Sequence, residues 1–124
     1  MRCEVVAIGT ELLLGQITDT NSSWIGEQLA LIGIDSHFQV KVGDNAERMA
    51  FCIRQALDRA DAVICCGGLG PTQDDITREV IADVMGVELH RDPVIEQKIA
   101  DLFTARGRVM TNNTRRPADI PLGG

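Results

Sequence analysis

The feature that most constrains the fold is an uninterrupted apolar run, Ala62–Cys66, which the glycine-rich residues Gly-Gly-Leu-Gly-Pro end at positions 67–71. A strand with one face in solvent alternates apolar and polar residues, whereas a strand buried on both faces does not. Segments with the apolar spacing of amphipathic helices stand on both sides of this run. The run therefore predicts a central strand of a parallel sheet that helices cover on both faces.

The rest of the chain repeats this rhythm of strands and helices. Strands are predicted at Cys3–Ile8, Ile34–Val42, Ala62–Cys66 and Val87–His90. Helices are predicted to begin with caps at Asn21, Asp44 and Asp92, and a further helix is predicted at Thr72–Met85. With 124 residues, the chain fits one domain of the α/β class with a mostly parallel sheet.

Composition excludes several kinds of partner. The net charge is −6, which argues against non-specific binding to nucleic acid or to an anionic membrane. No apolar run approaches the length of a membrane span or of a signal peptide with its cleavage site. The four cysteines form no CxxC pair, so we interpret them as small buried residues in a reducing, cytoplasmic setting.

The glycine-rich loop is the strongest functional signal. It follows a buried strand and opens a predicted helix, so its backbone can turn sharply and its amides can face an anion. Ligands of open α/β sheets bind at the carboxyl ends of the strands, where this loop must lie. It is neither a Walker A loop nor a Rossmann fingerprint, because no Gly-Lys-Ser/Thr follows and the glycine spacing differs.

Two acids, Asp74 and Asp75, follow this loop. Carboxylates beside a phosphate-binding loop would repel the ligand unless a divalent cation bridges them, so the pair suggests Mg²⁺-type chemistry. The alternative interpretation is that Thr72 and these acids cap the helix and complement its dipole, and both roles can hold together.

A second polar loop leaves the first predicted strand at its carboxyl end. It runs from Gly9 to Asn21, and its three consecutive leucines favour a covered surface such as an oligomer contact. Asp44 follows the second predicted strand and so belongs to the same edge, although on its own it is more simply a helix cap. His37 and His90 are isolated in sequence and are not predicted to be catalytic.

Three stretches carry a family resemblance. They are Ala-Ile-Gly-Thr-Glu-Leu-Leu-Leu-Gly-Gln-Ile-x-Asp-Thr-Asn-Ser from Ala7, Gly-Gly-Leu-Gly-Pro-Thr-x-Asp-Asp-Ile-Thr from Gly67, and Arg-Gly-Arg-Val-Met-Thr-Asn-Asn from Arg106. Together and in this order they resemble the amino-terminal domain of the CinA (competence/damage-inducible protein A) family. That domain belongs to the molybdopterin-binding superfamily, which includes molybdopterin adenylyltransferases and molybdenum insertion proteins.

The resemblance implies a three-layer α/β/α fold and a nucleotide site. CinA-type domains are associated with metal-dependent ADP-ribose pyrophosphatase activity, so we expect hydrolysis of a dinucleotide pyrophosphate bond. The alternatives are adenylylation of a pterin, as in the molybdenum cofactor enzymes, and a nucleotide-binding regulatory module without turnover. The resemblance also implies a homo-oligomer and a domain that continues beyond Gly124, so we expect this chain to be truncated there. Nothing in the chain resembles the family's separate amidase domain.

The implied site residues form three groups. Asp44 and Asp75 match two acids that serve metal and nucleotide chemistry in the adenylyltransferases, so we expect them to be catalytic. Together with Asp74 they are also expected to bind a divalent cation of the Mg, Mn or Co class. The expected ligand contacts of the first loop are Gly9, Thr10, Glu11, Asp19 and Asn21. Those of the second are Gly67, Gly68, Leu69, Gly70, Pro71, Thr72 and Thr77.

Overall fold

The computed structural model describes residues 1–107 and 118–121 and divides the chain into two units, Met1–Gly68 and Leu69–Gly124. The first unit contains, in chain order, β1 (Cys3–Ile8), α1 (Thr10–Leu13), α2 (Thr20–Leu31), β2 (Gln39–Val42), α3 (Ala46–Arg59) and β3 (Ala62–Cys66). Its strands form a parallel sheet in the order β2-β1-β3, with Val6 paired to Val40 on one side and to Cys65 on the other. The α/β class and the parallel sheet are therefore confirmed, but the central strand of the described sheet is β1, and Ala62–Cys66, predicted to be central, is an outer strand of intermediate burial.

Both faces of β1 are covered. All six of its residues are buried, and successive side chains of a strand point to opposite faces. Cys3 and Val5 pack with Leu29 of α2, whereas Glu4 on the other face bonds Arg59 at the end of α3. The two helices therefore lie on opposite faces of the sheet, which gives this unit its three layers.

The second unit contains α4 (Thr77–Met85), β4 (Leu89–Arg91), α5 (Pro93–Ala105) and β5 (Asp119–Pro121). The start predicted at Asp92 is confirmed, because its carboxylate accepts the amides of Val94 and Ile95 at 2.9 and 3.1 Å and proline occupies the first helical position. The predicted strand Val87–His90 is shifted to β4, which pairs antiparallel with β5 in a separate sheet. The sequence did not indicate β5, because three residues are too few to show a period-two pattern.

Two predicted elements are shorter in the structure. The strand predicted at Ile34–Val42 is regular only over Gln39–Val42, and Asp35 makes an isolated bridge to Arg2. The helix predicted from Thr72 begins at Thr77 instead. Residues before it form a loop in which the Asp75 carboxylate accepts from the amide and hydroxyl of Thr72, and this local bonding competes with a helical turn.

Two predicted helix caps are wrong. The N-cap of α2 is Asp19, which accepts the amide of Ser22 at 3.0 Å, so Asn21 lies inside the first turn. The N-cap of α3 is Asn45, which accepts the amide of Arg48 at 3.0 Å. Asp44 is thereby released from capping, and its carboxylate is used elsewhere.

Within the part of the chain that the structure describes, no helix is long and apolar enough to cross a membrane. The third family-like stretch, which begins at Arg106, lies outside the described residues from position 108 onwards.

Candidate functional site

The loop after β1 and the loop after β2 are held together by Thr10 and Asp44. The Asp44 carboxylate accepts from the amide and the hydroxyl of Thr10 at 3.3 and 3.4 Å, and the Asp44 amide donates to that hydroxyl at 3.2 Å. Gly43, just before, leaves room for Thr10, since a Cβ there would lie 3.3 Å from its Oγ1. The structure thus brings together two predicted site residues that are far apart in sequence.

A cavity of about 190 Å³ opens at the carboxyl ends of β1 and β3. In the strand order β2-β1-β3 the connection after β1 leaves toward β2, and the neighbouring ends of β1 and β3 form the crevice where doubly wound sheets of this order bind ligands. The predicted site residues that line the cavity are Glu11, Asp19, Asn21 and Gly67. Lining residues that the sequence did not single out are Ile8, Leu12, Ile17, Thr18, Thr20 and Cys66.

The cavity is acidic. Its lining includes the carboxylates of Glu11 and Asp19, and no lysine or arginine is found among the described lining residues. One Asp19 oxygen already accepts the Ser22 amide, which fixes the orientation of this carboxylate at the start of α2. Such a lining offers acceptors to hydroxyl groups or to a cation, whereas a bare anion would be repelled.

Gly67 lines this cavity at a position where only glycine fits. Its φ is +97°, in the region that other residues rarely adopt, and a Cβ would collide with the carbonyl oxygen of Ile8. The ends of β1 and β3 can therefore approach closely. Gly68, the last residue of the first unit, also has a positive φ, at +67°.

The remaining residues of the glycine-rich loop belong to the second unit. Thr72 donates its amide and hydroxyl to Asp75 Oδ2 at 3.1 and 2.6 Å, and a Cβ on Gly70 would lie 2.6 Å from the same oxygen. Asp75 is thus part of the loop and not a cap of α4, whose N-cap is Ile76 without a side-chain bond. Thr77 is fully buried, while Leu69, Pro71 and Asp74 are exposed.

The two acids predicted to be catalytic lie in different units, Asp44 in the first and Asp75 in the second. Each carboxylate is oriented by a threonine of its own unit, Thr10 or Thr72. Among the described residues, no group of three or more His, Cys, Asp and Glu side chains is arranged to hold a metal ion.

The Cys65 thiol, next in sequence to the cavity residue Cys66, is not an activated nucleophile. Burial, with a smaller contribution from Cys66, raises the pKa of Cys65 to about 11, so this thiol stays protonated at neutral pH. All four cysteines, each in the described part of the chain, are free.

A larger cavity, of about 300 Å³, lies at the opposite edge of the sheet. Its lining residues lie at the amino-terminal ends of the strands. Cys3 and Glu4 are at the start of β1, Phe38 is just before β2, and Ala60 is shortly before β3. The lining also includes the buried carboxylate of Glu4 and the guanidinium of Arg59. These two groups form an ion pair, in which Arg59 Nη2 lies 2.7 Å from Glu4 Oε1. We place the candidate site at the smaller cavity, because ligands of such sheets bind at the carboxyl ends of the strands.

Comparison with known proteins agrees with the fold described above. Residues 4–120 match the family described as "Probable molybdopterin binding domain". A "Putative competence-damage inducible protein" of Symbiobacterium thermophilum is 50% identical over 123 residues, which are 99% of this chain and 29% of that protein. A "CinA-like protein" of Nostoc sp. is 46% identical over the same share of this chain and 29% of its own length. The chain thus spans less than a third of these relatives.

Solved structures are also similar to this chain. The crystal structure of the protein CinA from Thermoplasma acidophilum superposes with a TM-score of 0.84 at 32% identity, covering 98% of this chain and 71% of that one. The tungsten cofactor synthesizing protein MoaB from Pyrococcus furiosus gives 0.65 at 24% identity, covering 88% and 69%. The second likeness is one of fold alone.

Proposed function

The chain belongs to the molybdopterin-binding domain family and, within it, to the CinA group, and from this premise we propose that it binds a nucleotide and hydrolyses a pyrophosphate bond, as in ADP-ribose, with a divalent cation. The observation that carries the proposal is the acidic cavity at the ends of β1 and β3. It lies at the ligand-binding edge of the sheet, and its acceptors suit the hydroxyl groups of a ribose.

The size of the cavity favours one part of a dinucleotide. At about 190 Å³ it is smaller than the roughly 300 Å³ at which pockets for whole drug-sized ligands begin. We therefore assign it to a nucleoside portion, with Glu11 and Asp19 accepting ribose hydroxyls and Asn21 donating or accepting beside them. The charged phosphates then lie outside the cavity, where the carboxylates of Glu11 and Asp19 repel them less.

The acids fit a cation that arrives with the nucleotide. Mg²⁺ is commonly bound by one or two carboxylates and substrate phosphates, with water completing the octahedron. Asp44 in the first unit and Asp75 in the second each offer a carboxylate that a threonine orients, and each is a proposed ligand of such a cation. Asp74, exposed beside Asp75, is a further proposed ligand in the second unit. A cation bound there would supply Lewis-acid polarisation of a phosphoryl oxygen.

The protein's own groups have binding and orienting roles in this reaction. The Gly70 amide donates to a phosphoryl oxygen, and Thr10 and Thr72 keep the carboxylates in place. Water attacks phosphorus, the bridging phosphorus–oxygen bond breaks, and the products are AMP and ribose 5-phosphate. We also propose a cytoplasmic location, which the free thiols favour, and a homo-oligomeric state.

Two other functions remain alternatives. Adenylylation of a pterin precursor is compatible with the match to a probable molybdopterin binding domain, and it differs in that a pterin group and not water attacks the phosphate. A regulatory module would bind the nucleotide without turnover and with little effect of metal.

The first experiment measures ADP-ribose hydrolysis with and without Mg²⁺ or Mn²⁺, for the wild type and for Asp75→Asn. The asparagine oxygen can still accept from Thr72, so the loop is kept while the charge is lost. We expect a loss of about 100-fold or more in kcat, by analogy with the removal of one group that stabilises charge in a transition state. Asp58→Asn is the matched control, since this exposed acid lines the cavity at the other edge.

The outcomes separate the three functions. Metal-dependent release of AMP that Asp75→Asn abolishes and Asp58→Asn retains supports the hydrolase. Full activity of Asp75→Asn contradicts the assignment of this acid. Tight binding without turnover favours the regulatory module, and transfer of AMP from ATP to a pterin favours the adenylyltransferase.

A further inference from the structure

Arg78, the second residue of α4, is buried but has no carboxylate partner among the described residues. It is only 7% exposed, and its guanidinium donates instead to two backbone carbonyls of the glycine-rich loop. Nη1 lies 2.6 Å from the oxygen of Leu69, and Nη2 lies 3.1 Å from the oxygen of Gly70. The buried Nε has no acceptor in the described part of the chain. Burying a charge without an ion partner costs free energy, and a functional role for Arg78 would explain why the chain keeps a buried arginine here.

The two hydrogen bonds fix the direction of a peptide group. The structure contains no cis peptide bond among its described residues, and in a trans peptide the carbonyl and the amide point in opposite directions. The carbonyl of Leu69 points to Arg78, so the amide of Gly70 in the same peptide group points away from it. The next peptide group ends at Pro71 and has no amide hydrogen. Arg78 therefore controls the orientation of one amide donor, that of Gly70.

The charge of Arg78 acts in the same direction. Asp74 and Asp75 follow the loop and would repel an anion bound to it. A buried guanidinium directly behind the carbonyls of residues 69 and 70 opposes this repulsion, and it is screened less than a surface charge would be.

We propose that Arg78 is a positioning residue, which holds the Leu69–Gly70 carbonyls so that the Gly70 amide donates to a phosphoryl oxygen of the ligand. The phosphate as ligand rests on the proposed function, whereas the control of the amide by Arg78 rests on the geometry alone. Arg78 contacts the loop and not the ligand, so it acts through Gly70.

The test follows the Gly70 amide by nuclear magnetic resonance while inorganic pyrophosphate with Mg²⁺ is added. In the wild type we expect the Gly70 amide proton to shift downfield with saturation. In Arg78→Lys the charge is kept, but one ammonium group cannot reproduce the planar fork that reaches both carbonyls. We expect the Gly70 response to be lost and the dissociation constant for pyrophosphate to rise about tenfold, the loss of one hydrogen bond to a charged group.

Arg91→Lys is the matched control. Arg91 lies in the same unit and forms a two-bond ion pair with Asp119, away from the loop, so its replacement should leave the Gly70 response unchanged. Equal loss in both variants would show a general effect on folding and would overturn the proposal. So would an Arg78→Lys protein that binds pyrophosphate and shifts Gly70 as the wild type does.

The wild-type titration decides the matter even where Arg78→Lys does not fold, because an unresponsive Gly70 amide overturns the proposal by itself. The proposed function fails separately, when ADP-ribose is not hydrolysed although Gly70 responds to pyrophosphate. A hydrolase in which Gly70 does not respond would retain the function and remove the role of Arg78.

Discussion

Gly67 combines two requirements that side chains cannot meet. Its φ of +97° is unfavourable for any residue with a Cβ, and that Cβ would overlap the carbonyl oxygen of Ile8. Gly33, after α2, has a similar φ of +77°, but a Cβ there would meet nothing within 4 Å. Comparing alanine substitutions at Gly67 and Gly33 therefore separates the free-energy cost of the backbone conformation from the cost of the steric collision.

We predict that Gly67→Ala lowers the free energy of unfolding by about 3 kcal/mol, the sum of a left-handed backbone and an overpacked contact. Gly33→Ala should cost about 1 kcal/mol, the backbone part alone. Urea unfolding curves of both variants measure the difference. Equal costs would show that the backbone at Gly67 relaxes away from Ile8.

At the scale of elements, one ion pair joins the central strand to a covering helix. Arg59 at the end of α3 donates two hydrogen bonds to Glu4 of β1, at 3.1 and 2.7 Å, and its guanidinium stacks 4.1 Å from the ring of Phe38. Contact with Glu4 is the main cause that raises the pKa of Arg59. The partners differ in exposure, since the Arg59 side chain is 36% exposed and that of Glu4 only 3%.

This difference predicts unequal effects of breaking the pair. Arg59→Met strands a buried carboxylate and should cost about 3 kcal/mol or more, whereas Glu4→Gln leaves an arginine that water can reach and should cost about 1 kcal/mol. The double variant Glu4→Leu, Arg59→Met should recover part of the loss. Thermal or urea unfolding compares them, and an equal cost of the two single variants would contradict the explanation from exposure.

The starts of α5 and α4 show which helix boundaries local sequence can predict. The predicted start of α5 at Asp92-Pro93 is confirmed because the cap and the proline act on amides within three residues. The start of α4 was predicted five residues too early, because Thr72 and Asp75 bond each other in a loop that helical propensity alone does not reveal.

At the scale of the whole molecule, the loop after β1 exposes apolar side chains. Leu13 and Leu14 in and after α1 are 55% and 66% exposed, and Ile17 is 54% exposed. Exposed apolar residues that lie close together in sequence favour an interface. They support the predicted self-association, which the sequence indicated by its three consecutive leucines.

We predict that the 13.5 kDa chain forms a homo-oligomer and that Leu14→Glu shifts it toward the monomer. A charge at the centre of an apolar interface would have to be buried unpaired. Gln16→Glu adds the same charge at an exposed polar position of the same loop and is the control. Light scattering after gel filtration measures the mass, and a wild type that is monomeric at all concentrations contradicts the prediction.

The sequence by itself determined the α/β class, the parallel strands and the loops at their carboxyl ends, because periodicity, glycines and helix starts act over a few residues. It also marked Glu11, Asp19, Asn21 and Gly67, which the structure gathers at one cavity. Only the tertiary structure decided that Asp44 bonds Thr10, 34 positions away, and not its own helix. It alone added Thr18, Thr20 and Cys66 to the cavity and directed Arg78 at backbone carbonyls. Such contacts depend on which side chains the packed sheet and helices bring within hydrogen-bond distance, and no local pattern of residues encodes that distance.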